Sequence, residues 1–424
     1  MELKEYKARV IDKKIDTYLK IFGAVLIEGP KWCGKTRTSR FHSQSQFFLA
    51  NPKGNFNNKR IAEMDPDLVL DGSTPRLIDE WQEAPAIWDA VRGRVDRSME
   101  KGQFLLTGSA TVNKERYIHT GTGRIARLRR RPMSLFEYGV SDGKVSLKNI
   151  CENHTNDLLT GDINLRRIID LVLIGGWPAT RNRTVDEGVL VSREYRKSVL
   201  NEDIYKTDNI KRDKHKFELL LRSLARNEAT TATNRVLKND IKEKDLDDIN
   251  TDTISDYLDL VRRLYLTEDI PPFANSIRSS LRVKQSEKHH FVDPSIPCAL
   301  LNLTEDKLRN DLELLGFLFE SLVERDLLTY SENRNAKLYH YQDYKNQERD
   351  AVIEREDGSW CGIEIKLGAN QIDNAAQNLV KINDSICKAG GIPAKSLCVI
   401  CGLTNAAYMR KDGVYVAPIT SLKP

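Results

Sequence analysis

The residues Gly29-Pro30-Lys31-Trp32-Cys33-Gly34-Lys35-Thr36 satisfy the spacing G-x-x-x-x-G-K-[ST], and Arg37 follows them directly. The run lies between the apolar stretch Ala24 to Glu28 and a segment of helical character. Such spacing lets loop amides and a helix N-terminus converge on a polyphosphate, and glycine permits the close approach. ATP is therefore the expected ligand of Gly29, Pro30, Lys31, Trp32, Cys33, Gly34, Lys35, Thr36 and Arg37. Lys35 is placed for the β and γ phosphates, and the Thr36 hydroxyl for Mg²⁺. Further on, Arg76-Leu77-Ile78-Asp79-Glu80 reads as an apolar strand ending in two carboxylates. Asp79 suits Mg²⁺ through water, and Glu80 suits orienting or deprotonating the water that attacks a γ-phosphate. A third strand, Gln103 to Ser109, ends in the hydroxyls of Thr107 and Ser109. These either sense the γ-phosphate and position the water, or close an ordinary turn.

A second group of chemically capable residues lies near the C-terminus. In Glu364-Ile365-Lys366 the i, i+2 spacing puts carboxylate and ammonium on one strand face, and Asp350 opens the strand expected beside it. Two neighbouring carboxylates suit Mg²⁺, and a lysine beside them suits orienting water or stabilising developing phosphate charge. The alternative is a solvated pair on an exposed strand. Against it, the opposite face carries Cys361, Ile363, Ile365 and Leu367, as in a strand covered by helices. The pattern from Leu312 reads helix, strand, strand, strand, helix, strand, which resembles the core of PD-(D/E)XK nucleases.

Between Arg116 and Arg131 stand six arginines and no acid. Arg124, in Thr122-Gly123-Arg124, is the candidate arginine finger, acting in its own subunit or in a neighbour's. The other reading is a solvated basic face, or Arg127 and Arg129 facing the acids of another helix.

Taken together, the loop, the Leu77-Ile78-Asp79-Glu80 strand, Leu106-Thr107-Gly108-Ser109, Gly123-Arg124 followed by Arg131-Pro132-Met133-Ser134-Leu135-Phe136-Glu137, and Gly175-Gly176-Trp177-Pro178 resemble the prokaryotic AAA-type ATPases that carry a C-terminal domain of unknown function. The resemblance covers nearly the whole chain. It implies an α/β fold: an AAA-type parallel sheet of order 5-1-4-3-2, a helical lid, a winged-helix-like middle segment and a nuclease-like C-terminal α/β domain. It also implies that Glu320, on the helix packing against the last domain, completes a metal shell with Asp350 and Glu364. The Lys31-Trp32-Cys33 loop interior is bulkier than in many such loops.

The elements that must position these groups follow from the hydrophobic pattern. Strands are expected at Ala24 to Glu28, Phe47 to Ala50, Leu77 to Asp79 and Phe104 to Thr107, alternating with helices as in a parallel sheet. Domains are expected at 1–150 (ATPase core), 151–212 (lid), 213–305 (winged-helix-like) and 306–424 (nuclease-like). A helix from Thr253 to Leu264 has apolar positions Ile254, Tyr257, Leu258, Val261 and Leu264 at helical spacing. Arg278, Arg282, Lys284 and Lys288 beyond it suit the phosphates of DNA, yet Ser255, Asp256 and Asp259 make the helix's outer face acidic. DNA binding and protein docking therefore stay open, as does assembly into a homo-oligomer. His289 and His290 read as surface residues and receive no site.

Length and composition bound the rest. The 424 residues suit two or three domains. The composition, 40% hydrophobic and 30% charged, suits a globular protein and excludes fibrous and disordered classes. A net charge of +5 favours nucleic acid only where it is locally concentrated. The charged N-terminus lacks a signal-peptide core, and no apolar run approaches the roughly 20 residues that cross a bilayer. Seven cysteines, an odd number, suit free thiols, and a cytoplasmic setting is expected. Cys398 and Cys401 read as part of a buried strand.

Overall fold

A computed structural model describes residues 6–111, 120–206, 212–242, 250–274, 285–342 and 348–424. The chain forms two compact units, one of residues 1–132, 201–212 and 259–266, the other of residues 133–200, 213–258 and 267–424.

The first unit is built on five strands: β1 (Ala24–Glu28), β2 (Ser45–Phe48), β3 (Arg76–Asp79), β4 (Phe104–Gly108) and β5 (Ile125–Arg129). All pair in parallel, in the order β2-β3-β4-β1-β5. This is the expected order read from the other edge. Alternation explains why the central strands β1 and β4 are apolar up to their C-terminal ends. Ala24 and Leu26 pack with Ile78, Phe104 and Leu106 on one face, while Val25 and Ile27 pack with Leu77, Leu105 and Leu128 on the other. A strand covered on both faces keeps no polar side. Polar residues therefore gather at the C-terminal ends of β1, β3 and β4, where Glu28, Asp79 and Thr107 emerge.

Among the described residues, the main sheet of the second unit has seven strands: β7 (Leu158–Leu159), β8 (Lys337–Gln342), β9 (Glu348–Glu354), β10 (Trp360–Gly368), β11 (Ser396–Leu403), β12 (Ala406–Met409) and β13 (Val414–Pro418). Their order is β7-β12-β13-β11-β10-β9-β8. A separate pair joins β6 (Val145–Ser146) to β14 (Leu422–Lys423). The expected helix, three strands, helix and strand all occur, beginning with the helix Leu312–Glu332 and including the helix Ile372–Lys388. Strands β7, β12 and β13 extend the sheet beyond that pattern. Ala375, Ala376 and Leu379 of the second helix cover Val399, Val414 and Val416. Cys398 and Cys401 lie buried in β11 as free thiols.

In the middle segment the helices Lys214–Arg226, Asn234–Lys242 and Thr251–Arg263 precede two extended stretches. Within the second unit those stretches meet through antiparallel bridges at Thr267–Phe291 and Ile270–Lys288, and Thr230 bridges His289. Arg116, Arg278, Arg282 and Lys284 lie outside the described residues.

Candidate nucleotide site and a buried ionic cluster

At the C-terminal end of β1 the chain turns through Gly29 and enters the helix Lys35–Phe41 at Gly34, whose φ of 96° favours glycine. A Cβ on Gly29 would stand 2.1 Å from the Arg130 carbonyl oxygen, so only glycine lets the loop pass there. Lys35 is buried, and its ammonium donates to the Gly29 and Pro30 carbonyls at 3.0 and 2.8 Å. Lys31, Trp32, Lys35, Thr36, Glu80 and Ser109 help line a cavity of about 550 Å³ above this loop. Arg37, Gln82 and Asp203 border it too.

The acids facing the loop are held by uncharged donors. Thr107 donates its hydroxyl to Asp79 Oδ1 at 2.7 Å and accepts from the Glu80 amide at 2.9 Å. Ser109 donates to Glu80 Oε2 at 2.8 Å, and the Gln82 amide donates to the same oxygen. Glu80 sits at φ 58°, ψ 53°, a left-handed conformation that costs a non-glycine residue free energy and re-aims the chain after β3. Burial raises the Asp79 pKa; hydrogen bonds from Thr107 and Thr36 and the Lys35 charge oppose that rise, while the Glu80 charge adds to it. A glycine-lined cradle, a buried lysine and a buried carboxylate bonded to Thr36 are a donor set that fits a magnesium-bound polyphosphate.

Arg124 is elsewhere. Its carbonyl accepts from the Ala24 amide, which puts it at the start of β5, at the opposite end of the strands from the loop. Its guanidinium pairs with Asp96 at 2.6 Å. Arg127 pairs with Glu28 of β1 at 3.1 Å and lies 4.9 Å over the Trp88 ring, and Arg129 lies 4.2 Å over the Tyr265 ring. Cys33 faces inward, its thiol near the Arg130 carbonyl. Residues that the sequence reading did not single out are Gln82, Tyr265, whose hydroxyl donates to Glu28 at 2.9 Å, and Asp203, which pairs with Lys31.

Residues 22–139 match the family model described as "AAA domain". That stretch is therefore similar to AAA-type P-loop domains. Residues 165–307 and 315–422 match two further models, each described as a domain of unknown function (DUF8612 and DUF4143). Among solved structures, the Walker-type ATPase of Pyrococcus abyssi is 11% identical with a TM-score of 0.44, over 71% of this chain and 100% of that one. The curated proteins contain no match. No described helix is long and apolar enough to cross a membrane.

Outside residues 22–139, the second unit brings Asp350, Glu364 and Lys366 together. The β9–β10 ladder ends at Ala351–Ile363, and just beyond it Asp350 Oδ2 accepts from the Ile365 amide at 2.6 Å. The Lys366 ammonium reaches Asp350 Oδ2 at 3.0 Å and Glu364 Oε2 at 2.8 Å, while Asn378 donates to Glu364 Oε1 at 3.0 Å. Glu320 and Glu324, one turn apart on the helix Leu312–Glu332, share the Lys288 ammonium, which lies 3.2 Å from Glu324. His290 Nε2 stands 2.8 Å from Glu324 Oε2. Burial raises the Glu364 pKa to about 7 and the Glu320 pKa to about 8, with the Asp350 charge adding to both and the lysines opposing. Burial also opposes ionisation of Asp350, but Lys366 and Lys288 outweigh it and hold its pKa low.

The expected metal shell of Glu320, Asp350 and Glu364 is not assembled. Among the described residues, no group of three or more His, Cys, Asp and Glu side chains is arranged to hold a metal ion. Asp350 and Glu364 share the Lys366 ammonium instead, and Glu320 shares that of Lys288 with Glu324. His290, read as a surface residue, and Lys288, read as part of a phosphate-facing wing, depart from the sequence reading as well: both are buried, because the alternation that turns His289 toward Asp269 turns them into the acid cluster.

Proposed function

We propose that this chain binds ATP with Mg²⁺ in the cavity above Gly29 to Thr36 and hydrolyses it. The observation that carries the reading is the row of Asp79, Glu80, Thr107 and Ser109 fixed by uncharged donors beside that loop. Lys35 exchanges the Gly29 and Pro30 carbonyls for β and γ phosphate oxygens. Thr36 and Asp79 would hold Mg²⁺, which supplies charge neutralisation when bound. Glu80 orients and deprotonates the attacking water; Thr107 fixes both acids, and Ser109 sets the Glu80 carboxylate. Glu80→Gln should keep ATP binding and lower turnover by about 100-fold, as general-base removal does. Unchanged turnover in that variant would remove Glu80 from the role.

The division into core 1–150, lid 151–212, winged-helix-like segment 213–305 and nuclease-like domain 306–424 belongs to the same proposal, as does the nucleotide cycle gating the last of these on DNA. The place of Arg124 at the far end of the strands favours action in a neighbouring copy. Mixing Arg124→Ala with Lys35→Ala chains should then restore hydrolysis, and no recovery at any ratio would assign Arg124 a structural role.

A second reading is favoured by the lysine-bound state of Glu320, Asp350 and Glu364: a nucleotide-dependent adaptor whose C-terminal unit binds protein or nucleic acid without cutting it. A cleavage assay on DNA with Mg²⁺ or Mn²⁺ separates the two. Metal-dependent cutting abolished by Asp350→Ala supports the nuclease, and its absence supports the adaptor.

A further inference from the structure

The second unit contains an unusual concentration of buried charge. Glu228, Lys288, His290, Glu320, Glu324, Asp350, Glu364 and Lys366 form one connected network. Its geometry follows from two periodicities. Residues two apart on an extended strand face the same way, so Lys288 and His290 both point inward. Residues four apart on a helix share a face, so Glu320 and Glu324 both point toward them. The strand is fixed by backbone bonds between Lys288 and Ile270 in both directions, 2.8 and 2.9 Å long. Lys288 also lies 3.4 Å from the Asp350 carbonyl, between the helix pair and the strand carboxylates.

Two features suit this place to a cation that can be exchanged. Glu324 is 1% exposed, yet its Oε2 makes no aligned hydrogen bond, His290 being close but misdirected. Glu320 and Lys366 also border a cavity of about 460 Å³, which gives small ions a way in. A buried carboxylate pair demands a cation or a proton, and an ammonium on a tethered strand answers that demand at a high effective concentration.

We propose that Lys288 is a resident cation that takes the place of a divalent metal between Glu320 and Glu324, so that the acid cluster as it stands does not accept one. The inference rests on the nuclease-like reading of Asp350, Glu364 and Lys366 and says what occupies the place of its metal. Lys288 bridges both helix carboxylates from a strand held by backbone bonds, and Lys366, held on the sheet itself, serves Asp350 and Glu364 in the same way.

The test is Mn²⁺ titration of the full chain without nucleotide, read by the electron paramagnetic resonance of free Mn²⁺. Lys288→Met should bind Mn²⁺ at least 10-fold more tightly than the wild type. Lys288→Arg should stay at the wild-type level, and adding Glu320→Gln to Lys288→Met should abolish the gain. Equal affinity in wild type and a folded Lys288→Met overturns the proposal, as does a gain that survives Glu320→Gln. Should Lys288→Met fail to fold, thermal unfolding of the wild type decides: 1 mM Mn²⁺ should leave its melting temperature unchanged, and a rise of several degrees would contradict a closed site. DNA cleavage is scored separately, so tight Mn²⁺ binding without cutting would count against the nuclease reading while supporting the role of Lys288.

Discussion

The two acid-rich regions of this molecule are neutralised in opposite ways. In the first unit Asp79 and Glu80 are held by hydroxyls and amides, and Lys35 is held by carbonyls. Charges of both signs are positioned there without being cancelled. In the second unit every strand or helix carboxylate of the cluster lies against a lysine or a histidine. Neutral donors fix a charge in place and leave it available to a ligand, whereas an ammonium fixes it by satisfying it. A region of the first kind is ready for a charged substrate. A region of the second kind is stable as it stands.

That contrast can be broken most directly at Lys35. Lys35→Ala should weaken ATP binding by about 100-fold or more, because the buried ammonium is the principal charge facing the phosphates. Fluorescent-nucleotide titration checks it, and a change below about threefold would show that the loop amides suffice alone. Stability should respond in the other unit. Glu324→Gln removes one partner from a buried ionic network and should destabilise the second unit by about 3 kcal/mol. Ser109→Ala, which removes a neutral hydrogen bond in the first unit, should cost about 1 kcal/mol. Denaturant unfolding of both variants sharpens the comparison, and equal losses would dissolve it.

The smallest expected effect is on pH. The acids around His290 lift its pKa to about 9 despite burial, so its contribution to stability is full below the ordinary histidine value and drains away as pH rises through 9. Glu364 and Glu320, raised to about 7 and 8, hold their protons more tightly when folded and act in the same direction. The melting temperature of the second unit should therefore fall by a few degrees between pH 6 and pH 9. His290→Gln should flatten the upper part of that fall, and a melting temperature that rose with pH would contradict the charge assignment.

What was legible in the sequence followed from short-range spacing. The phosphate loop, the β3 acids and the Glu364–Lys366 face rest on residues that repeat at the period of one element or match a local motif, whereas the five-strand order came from the family resemblance. The cation partners were not legible because they come from distant chain segments. Lys288 meets Glu320 across 32 residues, and Asp203 meets Lys31 across 172. His290 looked like a surface residue since nothing in Lys288-His289-His290 shows which side of the strand is covered. Arg124 carried an arginine-finger reading from its motif alone, whereas its position relative to the loop depends on where β5 begins. Motif spacing reports which groups share an element, and tertiary packing decides which charges cancel.

The most direct measurement is the stoichiometry of Mn²⁺ bound to the wild-type chain with and without ATP, followed by electron paramagnetic resonance. One tightly held ion should appear only when ATP is present and vanish in Lys35→Ala, with none added by the second unit. A tightly held ion present without ATP and removed by Asp350→Ala or Glu364→Ala would contradict the account, because the second unit's acids would then be open rather than satisfied from within.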